Sequence, residues 1–493
     1  MIGPARTLII ATAEGREPDA VRSEIERAAS LGADVVEVRF DRWGRSDWAR
    51  MGGLFPSPIP LLATLRSRTE GGEGPDDSSE RAAWRHLVRE QPFAYIDREW
   101  NRDPSLADEA KPRPDLVEVN SIHESAGADS VLALAHLAEL SGMKGIAKVV
   151  FAASVDEVLG RLVPHLPAAP SGGYVVHTTG PSGSLLRAWS RRLGMAAVFS
   201  TGSGVGVEPS QLPLDRIVPF LQAPPDAPIF AVVGRPILHS LSPALHHRWM
   251  RALGHVGLYI TLEIGDEGEF HRSARILFER GFRGLNVTHP LKASALGVAD
   301  SIGESARECG CANMLTFTGG RIEAENTDLL AISLRFEELE RSGDWDGTEV
   351  LVVGSGGAAC AALAAARERG TRAIVLARSP ARAGAVAAEF GAGLADDSAP
   401  RVAGLVVHCT PAGHPEAGDL AVPLRPWVGH ETYVLDFVYG TAATGVADLA
   451  RAAGGRYEDG IRLLAYGAAA SYGRWWNCTI PHSLVRDAAE GEA

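Results

Sequence analysis

The feature that most constrains this chain is a recurring pair of segments, a short apolar run followed by a stretch with helical spacing. The apolar runs are TLIIAT (7–12), DVVEVRF (34–40), IPLLATL (59–65), FAYID (93–97), DLVEVN (115–120), GIAKVV (145–150), GYVVHT (173–178) and AAVFS (196–200). Helix-patterned stretches such as DAVRSEIERAASLG and DSVLALAHLAELSG lie between them. Runs rich in Val, Ile and Leu that alternate with helices predict a parallel sheet buried on both faces. Eight such units before residue 222 predict a (β/α)8 TIM barrel.

QAPPDAP (222–228) reads as an inter-domain linker. Strand and helix patterns resume at IFAVVG (229–234). At EVLVVGSGGAACAALAAARERG (349–370) an apolar strand runs through glycines into an alanine-rich helix. AIVLAR, GLVVHCT and YVLDFVYG follow as buried-type strands, and DGIRLLAYGAAASYGRWWN is helical in pattern. The whole chain is therefore expected to be α/β.

The 493 residues are 45% hydrophobic and 22% charged, with a formal net charge of −13. That composition supports sizeable cores, and the acidic balance disfavours a nucleic-acid partner. No apolar run approaches the ~20 residues of a membrane span. MIGPARTLII lacks the apolar stretch of a signal peptide. Cys309, Cys311, Cys360, Cys409 and Cys478 are odd in number, and C-x-C without a second ligand pair is not a zinc pattern. A reduced, cytoplasmic protein with no metal, membrane or nucleic-acid partner is the expectation. Oligomeric state is not legible.

A barrel enzyme keeps its chemistry at the C-terminal ends of its strands. Glu37, Arg39, Arg66, Glu70, His123, Lys148 and Arg187 fall at or near such ends. A lysine inside an apolar strand is costly to bury charged. Desolvation lowers its pKa and favours a nucleophilic amine able to form a Schiff base. A nearby His oriented by a Glu suits acid–base work, and several arginines suit a carboxylate or polyol. Each residue taken singly also fits a cap, a solvent-reaching lysine or a structural ion pair.

Residues 7–221 resemble the type I 3-dehydroquinate dehydratases through EVRFD (37–41), LRSRTEGG (65–72), NSIHES (120–125), GIAKVV (145–150), GSLLR (183–187) and EPSQ (208–211). The resemblance implies that Lys148 forms an imine with the substrate ketone. It implies that His123 removes the adjacent proton and helps a hydroxyl leave, with Glu70 orienting it. Glu37, Arg39, Arg66, Arg187 and Gln211 would hold hydroxyls and carboxylate. Val207 stands where that family commonly has a serine, and STGSGVGVEPS (200–210) would be a mobile lid.

In the second half, Gly354, Gly356 and Gly357 lie between a strand and a helix, where backbone can approach a pyrophosphate. The next strand ends at Arg378 and Ser379 rather than at an acid, with Arg382 close by, which selects NADP over NAD. HSLSP (239–243), NVTHPLK (286–292), CAN (311–313) and ENTD (325–328) supply hydroxyl, amide, Lys and Asp groups suited to a polyhydroxy acid. A Lys–Asp pair can carry the proton that accompanies hydride transfer.

Together these motifs resemble shikimate dehydrogenase across residues 229–485. By that resemblance Lys292 and Asp328 are the catalytic pair. Ser240, Ser242, Thr288, Asn313, Tyr439 and Tyr466 contact substrate. Gly354, Gly356, Gly357, Ala358, Arg378, Ser379, Thr410 and Gly460 lie along NADP. The implied organisation is a barrel over 1–222, a substrate-binding lobe over 229–340 completed by helices at 458–493, and an NADP-binding Rossmann domain over 345–457. The departures are Met314, Leu329, Ala377 in the Ala377-Arg378-Ser379 fingerprint, His408, and Tyr466 in place of a pocket glutamine.

The expected function is bifunctional: dehydration of 3-dehydroquinate to 3-dehydroshikimate, then reduction to shikimate with NADPH. The alternatives fuse the dehydratase to a dehydrogenase of altered preference, such as quinate, or to a non-catalytic NADP- or ligand-sensing module.

Overall fold

The computed structural model describes residues 6–105, 113–124, 129–166, 173–202, 210–395, 401–413, 418, 420–440 and 445–490. It divides into two compact units, Met1–Ile229 with Val256–Ile264, and Phe230–His255 with Gly265–Ala493.

In the first unit the strands are β1 (Leu8–Ala13), β2 (Val35–Arg39), β3 (Leu61–Thr64), β4 (Tyr95–Glu99), β5 (Val117–His123), β6 (Ile146–Ala152), β7 (Tyr174–Thr179), β8 (Ala197–Thr201) and the short β9 (Leu212–Pro213). All are parallel to their neighbours, in the order β7-β6-β5-β4-β3-β2-β1-β8-β9. The sheet curls on itself, because Ala196 at the entry to β8 donates its N–H to Tyr174 of β7 at 2.8 Å. Alternation sends every second side chain inward. Ile10, Val35, Leu62, Val119, Ile146, Val175, Ala197 and Phe199 form the interior apolar layer.

Helices α1 (Pro18–Ser30), α2 (Ser78–Arg89), α3 (Ser130–Ser141), α4 (Val155–Glu157), α5 (Gly183–Trp189) and α6 (Leu214–Gln222) cover the outside. The helix after β2 is replaced by 3-10 turns over Arg45–Leu54, whose two glycines are poor α-formers. The 222–228 linker is held down by Arg191, which donates to the carbonyls of Leu221 at 2.8 Å and Pro224 at 2.9 Å. The predicted lid falls largely on residues 203–209, including Val207, which lie outside the described residues.

Strands β10 (Ile229–Gly234) and β11 (Leu258–Glu263) follow, β11 falling within the first unit. The second unit continues with α7 (Ser242–Leu253), α8 (Glu267–Glu279), β12 (Phe282–Val287), β13 (Ser301–Ile302), α9 (Glu304–Cys309), β14 (Met314–Thr318), β15 (Arg321–Glu325) and α10 (Thr327–Arg341). β14 runs antiparallel to both β12 and β15. Then come β16 (Glu349–Val353), α11 (Gly357–Arg369), β17 (Arg372–Leu376), α12 (Pro380–Phe390), β18 (Gly393–Leu394), β19 (Leu405–His408), β20 (Tyr433–Asp436), α13 (Gly445–Ala452), β21 (Arg456–Glu458), α14 (Ile461–Trp476) and α15 (His482–Ala489). β16 to β21 form a parallel sheet ordered β18-β17-β16-β19-β20-β21, the doubly wound order with its crevice between the first and fourth strands. Alanines of α11 let that helix lie close against the sheet and α10, where Leu329, Ile332 and Phe336 join them in one core. Among the described residues no helix is long and apolar enough to cross a membrane.

Candidate active sites

Alternation along the barrel strands brings charged groups inward above the apolar layer. Glu37 of β2 is 4% exposed and accepts from the hydroxyls of Thr12 and Thr64, each at 2.9 Å. Burial raises its carboxyl, but Lys148, Arg39 and those hydroxyls outweigh burial and hold it below the usual range. Arg39 forks onto Asp41 at 2.8 and 2.9 Å. Arg66 donates to Glu70 at 2.6 Å, to Asp97 at 2.8 Å and to Ser121 at 3.1 Å.

Lys148 of β6 is 4% exposed. Its Nζ stands 3.9 Å over the Phe199 ring and 4.0 Å from Asp97. Burial lowers its pKa, and Glu37 and Asp97 only partly restore it, so the amine is easier to deprotonate than a free lysine. His123 ends β5. Its Nδ1 and its backbone N–H both meet Oε2 of Glu70 at 3.2 Å. Burial, then Arg66 and Lys148, hold the ring well below its usual pKa, so it is neutral. Burial also pushes the Glu70 carboxyl up to about 7, against the opposing pull of Arg66.

The structure thus gathers Glu37, Arg66, Glu70, His123 and Lys148 in one barrel mouth. Arg187 turns toward the carbonyls of Thr178, at 2.8 Å, and Gly183, and lies 3.4 Å from the Ser210 hydroxyl. Gln211 follows Ser210, its side-chain oxygen buried. Sequence reasoning missed Asp97, Glu99 and Ser121. The signal was present: charged residues at alternating positions of YIDRE face one side of a strand.

In the second unit, Asn326 caps α10 by accepting from the Asp328 N–H at 3.0 Å. This sets Asp328 in the first helical turn, where the helix field favours a carboxylate. Lys292 ion-pairs with Asp328. Burial opposes the ammonium, but Asp328 outweighs it and raises the lysine pKa. Asn313 donates to Asp328 at 2.8 Å and accepts the Thr327 N–H at 2.7 Å. Asn286, the first residue of NVTHPLK, donates to Ser471 of α14 at 2.8 Å. Tyr439 hydrogen-bonds Ser240, and the Ser240 hydroxyl accepts the Ser242 N–H at 3.3 Å. Thr288 donates its N–H to Val233 at 2.9 Å.

Tyr466 lies elsewhere. Its hydroxyl donates to Glu338, far along α10 from Asp328. One residue further on α14 turns about 100°, and there Gly467 faces Thr327, the neighbour of Asp328: a Cβ on it would lie 3.3 Å from the Thr327 hydroxyl. Leu329 is buried within the apolar core shared by α10 and α11, and Met314 is buried on β14 in register with Asn286 and Glu325.

The glycine turn fits a dinucleotide. Gly354 adopts φ +127°, open to glycine alone, and a Cβ there would lie 3.2 Å from Thr410. Gly356 faces open space that a side chain would fill, and Gly357 lies against Lys292 and Cys311. Ala358 continues the first turn of α11. Arg378 is exposed after β17, and Ser379 caps α12. Gly460 lies against the Phe437 carbonyl, closer than a Cβ would allow. His408 is wholly buried between Asp436, at 2.7 Å from Nδ1, and the Thr410 hydroxyl, at 2.6 Å from Nε2. Among the described residues no His, Cys, Asp and Glu cluster could hold a metal ion.

A family model described as type I 3-dehydroquinase matches residues 9–224, and one described as shikimate dehydrogenase substrate binding domain matches residues 232–315. The chain is 36% identical over 265 residues to the shikimate dehydrogenase (NADP(+)) of Methylocella silvestris, covering 51% of this chain and 91% of that protein. The corresponding protein of a Jannaschia species is 34% identical over 260 residues, covering 51% and 93%. A solved structure of shikimate 5-dehydrogenase from Thermus thermophilus, in complex with NADP(H) and shikimate, aligns with 54% of this chain and 100% of its own, at 32% identity and a TM-score of 0.48.

Proposed function

The chain belongs to the shikimate dehydrogenase family over its C-terminal half and carries a type I 3-dehydroquinase domain before it, and from that premise we propose how its residues perform the two steps of one bifunctional shikimate-pathway enzyme. In the barrel, the deprotonated Lys148 amine attacks the ketone of 3-dehydroquinate; the carbonyl oxygen leaves as water, and the substrate is held as an imine that water hydrolyses once dehydration is complete. Neutral His123 takes the proton from the carbon beside the imine, then protonates the departing hydroxyl, which leaves as water. Glu70 fixes the ring tautomer through Nδ1. Arg66, Glu37, Arg39, Arg187 and Gln211 hold the hydroxyls and the carboxylate. The observation that carries this reading is the buried lysine within reach of both Asp97 and the Phe199 ring, in the same mouth as His123.

In the second unit Lys292 and Asp328 act on 3-dehydroshikimate. Ser240, Ser242, Thr288, Asn313 and Tyr439 bind its hydroxyls and carboxylate, and Tyr466 has no part in that contact. NADP is the cofactor, and NADPH supplies a hydride to the carbonyl carbon when bound. Gly354, Gly356, Gly357 and Ala358 would hold its pyrophosphate, Arg378 and Ser379 its 2′-phosphate, and Thr410 and Gly460 its remaining length. The charged Lys292 gives the carbonyl oxygen a proton, and Asp328 keeps the ammonium charged. We place the enzyme in the cytoplasm, where its five free cysteines would stay reduced.

Two assays on purified protein test the reading. Borohydride with 3-dehydroquinate traps a covalent adduct on Lys148, absent in Lys148→Ala. NADPH oxidation with 3-dehydroshikimate falls about 10²- to 10⁴-fold in Lys292→Ala. A trap that persists in the first variant, or oxidation unchanged in the second, overturns the corresponding half. Oxidation with quinate favoured over shikimate in the reverse direction selects the altered-preference alternative.

A further inference from the structure

The barrel interior holds a second histidine that these steps leave unused. His177 lies on β7, two residues beyond Val175, which stands in register with Lys148. Side chains two apart share a face, and Val175 belongs to the interior layer, so His177 faces the barrel axis as well. It is 1% exposed. Its ring meets the Phe199 ring edge-on at 6.2 Å, the same ring that Lys148 covers from 3.9 Å.

The hydrogen bonding settles its tautomer. Nε2 accepts the backbone N–H of Phe199 at 3.3 Å, across the seam between β7 and β8. A nitrogen that accepts carries no proton, so the neutral ring bears its hydrogen on Nδ1. Burial, reinforced by Arg187 and Lys148, keeps the ring neutral. Nδ1 is buried and makes no hydrogen bond of good geometry among the described residues, the Val176 carbonyl being the acceptor beside it. Native proteins rarely leave a buried donor unmatched, and such groups mark functional cavities.

We infer that His177 is a substrate-binding residue of the dehydratase site, donating its Nδ1–H to the carboxylate end of the hydroxy-acid substrate. The inference rests on the dehydratase reading above. There Lys148 takes the ring ketone and Arg187 the carboxylate. Lys148 and His177 meet the same Phe199 ring, and Lys148 and Arg187 are the charges that act on the imidazole.

Two substitutions separate this role from that of a seam filler. His177→Gln can still accept from Phe199 but offers no donor at the Nδ1 position. His177→Asn places an amide N–H close to Nδ1 and abandons the seam. The expected result is a KM for 3-dehydroquinate raised about tenfold to a hundredfold in His177→Gln, with thermal stability unchanged. His177→Asn keeps KM within about threefold but melts at lower temperature. Wild-type KM and kcat in His177→Gln overturn the inference and leave the ring as a seam acceptor. Absence of both turnover and the Lys148 adduct in the unsubstituted enzyme overturns the dehydratase reading itself, a different result from the first.

Discussion

Replacing Glu70 by Gln isolates the carboxyl that faces His123. Oε2 of Glu70 lies 3.2 Å from His123 Nδ1 and 2.6 Å from Arg66. Burial first, with Glu99 and Asp97 adding to it against Arg66, raises this carboxyl from the ordinary 4.5 to about 7. The difference corresponds to about 3 kcal/mol against the ionised form. His123 is held well below 6.5, so the group that titrates near neutrality here is the acid, not the imidazole. Ionised Glu70 accepts the Nδ1–H and leaves the Nε2 lone pair for the substrate proton. Protonated Glu70 donates to Nδ1, moves the ring proton to Nε2 and removes the base. The dehydratase kcat/KM is therefore expected to rise about tenfold per pH unit up to about pH 7 and then level off. In Glu70→Gln the amide oxygen accepts at every pH, and the limb near 7 vanishes. Initial rates from the ultraviolet absorbance of the conjugated product, from about pH 5 to pH 9, decide it. A limb near 7 that survives in Glu70→Gln refutes the assignment. Stability runs the opposite way with pH. The folded pKa lies above the unfolded one, so the contribution of Glu70 is fully present below about 4.5 and lost as pH rises through about 7. Glu70→Gln should accordingly gain up to about 3 kcal/mol relative to wild type between those limits, measured by urea denaturation.

Arg378→Ala should weaken NADPH about tenfold while leaving NADH nearly unchanged, measured by KM for each cofactor; equal losses would remove Arg378 from the 2′-phosphate site. Tyr466→Phe should leave the KM for shikimate at wild type, because the hydroxyl is spent on Glu338, and cost about 1 kcal/mol of stability in urea; a raised KM would return Tyr466 to the pocket. His408→Ala removes one partner of the wholly buried Asp436 and should cost about 3 kcal/mol, read from the urea midpoint. A cost below about 0.5 kcal/mol would mean the pair carries no net stability.

The barrel was legible because its strands are short, apolar on both faces and separated by amphipathic helices, a pattern set by local periodicity. The observed strands fall within a few residues of the predicted ones. The doubly wound sheet was legible for the same reason, helped by glycines that local backbone geometry demands, such as Gly354 at φ +127°. The missing α-helix after β2 was not, because helical spacing does not tell an α-turn from a 3-10 turn.

At the sites, residue type and position singled out Lys148, His123, Lys292 and Asp328, since a charged group in an apolar strand or a helix cap is visible one residue at a time. Which groups meet was decided only in three dimensions. Asp97 and Glu99 reach Arg66 from another strand, and β7 contributes a histidine to the lysine's surroundings. A turn of about 100° along α14 separates Tyr466, aimed at Glu338, from Gly467, aimed at Thr327. Sequence alone determined the elements and the chemistry available, because propensity, periodicity and side-chain type are local. The tertiary structure decided the partners, and with them the pKa values, because burial and Coulomb interactions depend on distances that only the packed chain defines.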